Sequence, residues 1–231
     1  MKKLTILIVM IFGYFTNANA FDGIQGFNLG VSLSGGVVDV DGAKEEFKGD
    51  HAGAESDPGD VTKNSTEDTA EGLYGIGSIF AEVQVTDVVG IGLDYVPHSL
   101  DTETTENVQT DGGSSVTNTV QVDFENLATL YATLQIPALE GLYAKVGYVQ
   151  VDVITNENLA TGGAYGDTEL DGYTLGLGYQ RDIQNDTFVR VEANYMELDG
   201  ASLTNQNDST KSVTADGITG YGARLSIGKS F

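Results

Sequence analysis

Apolar and polar residues alternate one by one along much of this chain, and the pattern recurs in eight segments. The last segment is the clearest. Tyr221, Ala223, Leu225 and Ile227 alternate with Gly222, Arg224, Ser226 and Gly228, and the segment closes on Phe231. Successive side chains of a β-strand point to opposite faces, so this spacing predicts a strand with one apolar face and one small or polar face. Lys229 falls on the apolar side near the end, where a long side chain can reach a headgroup layer.

Seven earlier segments obey the same rule. Their apolar faces carry Phe27, Leu29, Val31 and Leu33; then Ile79, Ala81, Val83 and Val85; then Val89, Ile91, Leu93 and Tyr95. The fourth, 120–136, places Val122, Phe124, Ala128, Leu130, Ala132 and Leu134 on one side, with Asp123, Glu125, Thr129, Tyr131 and Thr133 on the other. Leu142, Ala144, Val146 and Tyr148 follow, then Tyr173, Leu175, Leu177 and Tyr179, then Val189, Val191, Ala193 and Tyr195.

The connections alternate too. Short turns fall near 86–88, 137–141 and 181–186, and long polar stretches near 41–70, 96–118, 152–171 and 199–216. An even number of strands, with short turns at one end and long loops at the other, predicts an all-β fold: a transmembrane up-and-down antiparallel β-barrel of eight strands. Aromatic residues sort by strand end in the same way. Tyr95, Phe124, Tyr148, Tyr173, Tyr195 and Tyr221 lie toward the long loops, and Phe27, Tyr179 and Phe231 toward the short turns. Amphipathic rings favour the headgroup level, so these predict two aromatic girdles around a lipid-facing band.

The first twenty residues carry a different pattern. Lys2 and Lys3 precede an apolar run, Leu4 to Phe15, and Ala18-Asn19-Ala20 is a small-x-small site. This is the layout of a cleaved signal peptide, with the barrel domain running over 21–231. Cysteine is absent, which excludes disulfides and thiolate metal sites. The formal charge is −23, and loss of Lys2 and Lys3 takes it to −25, which excludes nucleic-acid binding by phosphate neutralisation.

In these features the chain resembles the small outer-membrane barrel superfamily, which includes the OmpA-type transmembrane domain, OmpX-like proteins and opacity or porin-like surface proteins. The resemblance rests on the signal peptide, the eight alternating segments and the closing strand Tyr221-x-Ala223-x-Leu225-x-Ile227-x-x-x-Phe231. The stretch from Phe124 to Ala132, followed by a Pro turn and Gly141 to Gly147, is similar to the middle hairpin of that family. The resemblance implies a monomer in the cell outer membrane with outer-membrane lipid as its surroundings. It further implies that Phe231 is read as an assembly signal by the outer-membrane assembly machinery, and that the peptidoglycan-binding domain of full OmpA-type proteins is missing.

Candidate chemistry sits on the opposite faces. By parity Glu82, Asp94, Asp123, Glu125, Lys145, Arg190, Glu192 and Arg224 all face the lumen. An eight-stranded barrel is just wide enough for side chains to fill, and buried ions there must pair. Lys145, Arg190 and Arg224 are therefore expected to neutralise Glu82, Asp94 and Glu192 in a network that plugs the barrel; a narrow porin for small solutes or cations is the alternative. No cofactor, catalytic residue or metal site is assigned. Of the two histidines, His51 lies in the acidic first loop and His98 stands beside Ser99, whose side chain should point to the opposite face, so neither suggests an outer-membrane lipid-modifying enzyme. The first-loop carboxylates, Asp41, Glu45, Glu46, Asp50, Glu55, Asp57, Asp60, Glu67 and Asp68, allow weak cation contacts but lack an EF-hand's ligand spacing. The role that follows is structural, with loops presented to an extracellular surface.

Overall fold

The computed structural model of the chain describes residues 25–48, 61–64, 68–111, 114–159, 164–207, 209 and 211–231. The expected signal peptide and residues 49–60 of the first acidic stretch, His51 included, lie outside them. The described strands are β1 (Gly26–Lys48), β2 (Val61–Asn64), β3 (Asp68–Gln84), β4 (Val89–Tyr95), β5 (Leu100–Asp101), β6 (Thr105–Asp111), β7 (Ser114–Gln135), β8 (Leu142–Leu159), β9 (Thr168–Asp182), β10 (Thr187–Thr204) and β11 (Lys211–Ser230).

Eight of these form the wall in the order β1, β3, β4, β7, β8, β9, β10, β11, each antiparallel to the next. β11 then pairs back onto β1 from Asn28↔Ser230 to Phe47↔Lys211 and closes the barrel. β2 adds to β1, while β5 and β6 carry the line of β4 onward beside β7. Closure removes the two free edges that an open sheet would leave.

Two of the short turns show a local cause. Thr86 Oγ1 accepts the backbone N–H groups of Val88 (3.3 Å) and Val89 (3.0 Å). Between β9 and β10, Asn185 and Asp186 take φ of 59° and 58°, the left-handed region that short Asn and Asp side chains tolerate best after glycine. At the other end the strands run far beyond what a membrane needs. A tilted spanning strand takes about 9–11 residues, whereas β1 has 23 and β7 has 22.

The stretches 41–70, 96–118, 152–171 and 199–216, expected as loops, are therefore in large part strand. β10 and β11 stay paired out to Thr204↔Ser212, β7 and β8 out to Asn118↔Leu159, and β6 turns into β7 at Asp111↔Ser114. Thr, Val and Ser are frequent there, and the register carried up from the barrel lets the backbone keep its hydrogen-bond partners.

The two faces of the wall exchange polarity along its height. Low in the barrel the outward residues are apolar and the inward ones polar: Leu33 out and Ser34 in on β1, Val146 out and Lys145 in on β8, Val191 out and Arg190 in on β10, Leu225 out and Arg224 in on β11. Higher up the order reverses. Val38 and Val40, Val149 and Val151, Leu170, Leu198 and Ile218 pack together inside, and their strand neighbours Asp39, Gln150, Asp171, Asp199 and Thr219 take the outer face. Such a change belongs at a boundary between lipid and water: lipid calls for an apolar exterior, whereas water calls for an apolar interior.

On β7 the exchange is made by a β-bulge. Glu125 pairs with Asp152 and Ala128 with Gln150, so two residues, Asn126 and Leu127, oppose Val151 alone. Asn126 sits at φ 54°; Tyr95 Oη donates to its side-chain oxygen (3.1 Å), and its Nδ2 donates to Asp152 (2.8 Å). One extra residue flips every side chain beyond it to the other face. Phe124, expected in a lipid-facing girdle, instead turns inward with Val122 and Leu127 against the upper apolar cluster. Asp123 and Glu125, expected in the lumen, move to the outer face, where Asp123 accepts hydrogen bonds from Gln121 (3.2 Å) and Asn156 (2.5 Å). Strict alternation read straight through 120–136 misplaces all three.

Candidate functional site

The lower interior is where charged side chains converge, and each is brought there by strand parity. Arg190 on β10 reaches across to Glu82 on β3 with both terminal nitrogens (Nη2 to Oε1 2.6 Å, Nη1 to Oε2 3.0 Å), and its Nε donates to Gln180 at 2.7 Å. Asn28 Nδ2 gives Glu82 a further hydrogen bond of 3.0 Å. Arg224 on β11 grips Asp94 on β4 (2.8 and 3.3 Å) and donates from Nε to Ser34. Ser78 Oγ completes Asp94 at 3.0 Å. Lys145 on β8 meets Glu192 on β10 at 2.8 Å, and Tyr143 Oη donates to the second oxygen of Glu192 at 2.9 Å. Three cations thus face three carboxylates one to one, and all six side chains are at most 14 % exposed. Each carboxylate has a charged donor and a neutral one, as ions held away from water require.

Aromatic rings fill the space between the ions. Arg190 lies within 4.7–5.5 Å of the ring centres of Phe188, Tyr143 and Phe80, and Lys145 stands 4.8 Å from the centre of the Tyr131 ring. Phe80 and Phe188 stand 6.3 Å apart, both against the Arg190 guanidinium. Four glycines make these rings fit: a Cβ on Gly92 would overlap the Tyr131 ring, one on Gly178 the Tyr143 ring, one on Gly30 the Phe80 ring and one on Gly228 the Phe188 ring. The interior cavity lined by Ser32, Tyr131, Tyr143, Lys145, Arg190 and Glu192, among others, measures about 10 Å³, no more than one water molecule needs. Above it comes the apolar cluster, in which Val149 and Val151 are each 1 % exposed.

Parity puts Tyr131 and the other lumen aromatics on the inward face, but sequence reasoning gave them no part in the plug, and it missed the upper cluster. The signal was present in both cases. Tyr131 and Tyr143 occupy lumen positions beside glycines of the neighbouring strands, and Val149, Val151 and Val153 continue the inward parity of Lys145 and Gly147.

On the outside, Tyr148, Tyr173, Tyr195 and Tyr221 form a row at the upper rim of the apolar band, with Tyr195 5.3 Å from Tyr221 and 6.1 Å from Tyr173. Tyr95 stands on the far side of the same rim, tied to the bulge. Phe27, Tyr179 and Phe231 lie at the lower rim. Phe27 and Phe231 exchange backbone hydrogen bonds (2.8 and 3.2 Å), with ring centres 6.2 Å apart and Lys229 Nζ 5.7 Å from the Phe231 ring. The last residue is therefore stitched to the first strand while its ring stays 70 % exposed.

His98 serves the wall. Its Nε2 accepts the Gly77 N–H at 3.3 Å and its Nδ1 lies 3.0 Å from the Ser99 carbonyl oxygen, which leaves neither nitrogen directed at the Ser99 hydroxyl. Among the described residues no group of three or more His, Cys, Asp or Glu side chains is arranged to hold a metal ion.

No protein-family model and no curated protein matches the sequence. Solved structures of similar architecture include Ail, the attachment invasion locus protein of Yersinia pestis, at 11 % identity over 90 % of this chain and 99 % of that one, with a TM-score of 0.42. The outer membrane protein AlkL is similar at 14 % identity over 89 % and 90 % with a TM-score of 0.45, and the outer membrane protein OprG of Pseudomonas aeruginosa at 13 % over 90 % and 97 % with 0.43. The barrel itself rests on the closed strand pairing of this chain and not on those likenesses.

Proposed function

We propose that this chain is an integral outer-membrane barrel with a closed interior, whose role is to hold a rigid extension above the membrane and present it to the surroundings. The observation that carries the reading is the double filling of the barrel. At the height of the lipid-facing band the interior is occupied by paired ions and aromatic rings around a cavity with room for about one water molecule, and above it by a packed apolar cluster. A hydrated ion would have to displace both. The outward side supports the membrane setting: Leu33, Val146, Leu177, Val191 and Leu225 are each more than half exposed, a surface that water disfavours and acyl chains accept.

In this reading the three ion pairs are a structural plug, the tyrosine row and the Phe27, Tyr179 and Phe231 rings anchor the two lipid boundaries, and the exposed Phe231 ring is what the assembly machinery meets. The chain acts as a monomer without a cofactor, and its acidic outer surface contacts cations or a neighbouring surface.

Planar-bilayer conductance of the refolded protein tests the closed interior. No stable unitary current is expected. Steady currents whose ion selectivity shifts on Asp94→Asn or Glu192→Gln would replace the plug with a narrow cation-drawing porin.

A further inference from the structure

The barrel wall is not zipped along its whole height. β3 and β4 pair up to Ile79↔Tyr95 and no further. Pro97, which has no N–H, follows shortly after, and β5 and β6 then pair with β7 alone. β3 meanwhile continues upward for another turn of the wall with β1 on its other side. At the first step above the junction the Gly77 N–H is met by the His98 ring, a side chain standing where a strand carbonyl would be. Gly75, Leu73 and Glu71 repeat the orientation of Gly77 two residues at a time, and their edge-facing backbone groups have no partner among the described residues.

Among the described residues, 71–77 carry no lysine, proline or bulge. Native edges are blunted by lysine, proline, a bulge or a cover, whereas here Leu73 is 87 % exposed and a Cβ added to Gly75 would meet nothing within 4 Å. We propose that the β3 edge from Glu71 to Gly77 is a docking site for an extended basic peptide segment, which adds to the wall as a further strand. Backbone hydrogen bonds supply affinity in this mode and alternate side chains supply selectivity.

The charge around the edge sets the partner's chemistry. Asp39 pairs with Glu71 across β1 and β3, and Asp101, Glu103 and Glu106 are exposed on the β5–β6 segment that continues the line of β4 above the junction. No Lys or Arg occurs between Lys63 and Lys145. A second copy of a chain with charge −23 would bring the same carboxylates to the contact. A segment with Lys or Arg at alternate positions would instead meet them with opposite charge. The proposal stands whether or not the lumen conducts.

The test uses the full chain in nanodiscs and three labelled eight-residue peptides: alternating Lys and Val, alternating Glu and Val, and the Lys–Val peptide with alternate amides N-methylated. Fluorescence anisotropy should show binding of the first alone. Gly75→Pro, tolerated where an edge N–H faces solvent, should weaken that binding at least about tenfold, and hydrogen exchange at the Leu73 and Gly75 amides should slow when the peptide is bound. No binding of the Lys–Val peptide overturns the proposal, as does equal binding of the N-methylated peptide, which would mean charge attraction alone. A concentration-dependent dimer abolished by Gly75→Pro would assign the edge to a second copy and overturn it too. Should Gly75→Pro fail to fold, unchanged exchange at Leu73 and Gly75 in the unaltered protein with saturating peptide is the overturning result.

Discussion

Replacing Arg190 by Met keeps most of the side-chain volume and removes the charge that Glu82 depends on. Glu82 is 1 % exposed and would keep Asn28 as a hydrogen-bond donor while losing both guanidinium contacts of 2.6 and 3.0 Å. The remaining lumen cations are already engaged, Arg224 by Asp94 and Lys145 by Glu192, so the variant interior carries one uncompensated negative charge. Stranding one member of a buried pair costs about 3–5 kcal/mol, roughly two to three and a half powers of ten in the folding equilibrium. Adding Glu82→Gln removes the stranded charge, and the double variant should recover about 1–3 kcal/mol relative to Arg190→Met alone. The protein has no Trp, so the natural assay is urea-dependent folding into lipid vesicles, read as folded and unfolded bands on unboiled gels. A loss below about 1 kcal/mol for Arg190→Met, or a double variant less stable than the single one, would refute the view that these ions matter as a pair.

Three further outcomes follow from the geometry. Asn126→Val should destabilise the barrel by about 1–2 kcal/mol, since a β-branched residue resists the left-handed conformation, and Asn126→Gly should cost less; the same urea titration compares them. Leu198→Ala opens the upper apolar cluster and should cost about 2–5 kcal/mol. That loss should appear as faster proteolysis of the extended end while the heat-dependent gel shift of the membrane-level barrel persists. Phe231→Ala should lower the amount of protein recovered in outer-membrane fractions while in-vitro folding into vesicles stays nearly unchanged, because the ring is largely exposed; equal loss in both would make Phe231 a packing residue and not an assembly signal.

The strands of the lower barrel could be read from sequence because lipid imposes a rule with a period of two and no exceptions for distance. Each outward position there must be apolar, so Leu29, Val31, Val146, Leu225 and Ile227 announce their face without reference to any neighbour. The same rule identified Glu82, Asp94, Lys145, Arg190, Glu192 and Arg224 as inward residues. What parity could not say was which cation meets which carboxylate. Arg190 and Glu82 are 108 residues apart in the chain, and Arg224 and Asp94 are 130 apart; their meeting depends on how closure staggers eight strands around the axis, which is a property of the whole sheet.

Above the membrane the rule lapses, and with it the reading. Asp171 and Asp199 look like loop residues when polar means unstructured, yet they are the wet face of strands whose dry face includes Leu170 and Leu198. The Asn126–Leu127 bulge sharpens the point, because an inserted residue leaves the alternation on each side intact and changes only its phase. Local pattern determined that 120–136 is strand. Only the pairing with β8 decided that Phe124 points in and Glu125 out, since phase across a bulge is set by hydrogen bonds to another strand and is carried by no residue of its own.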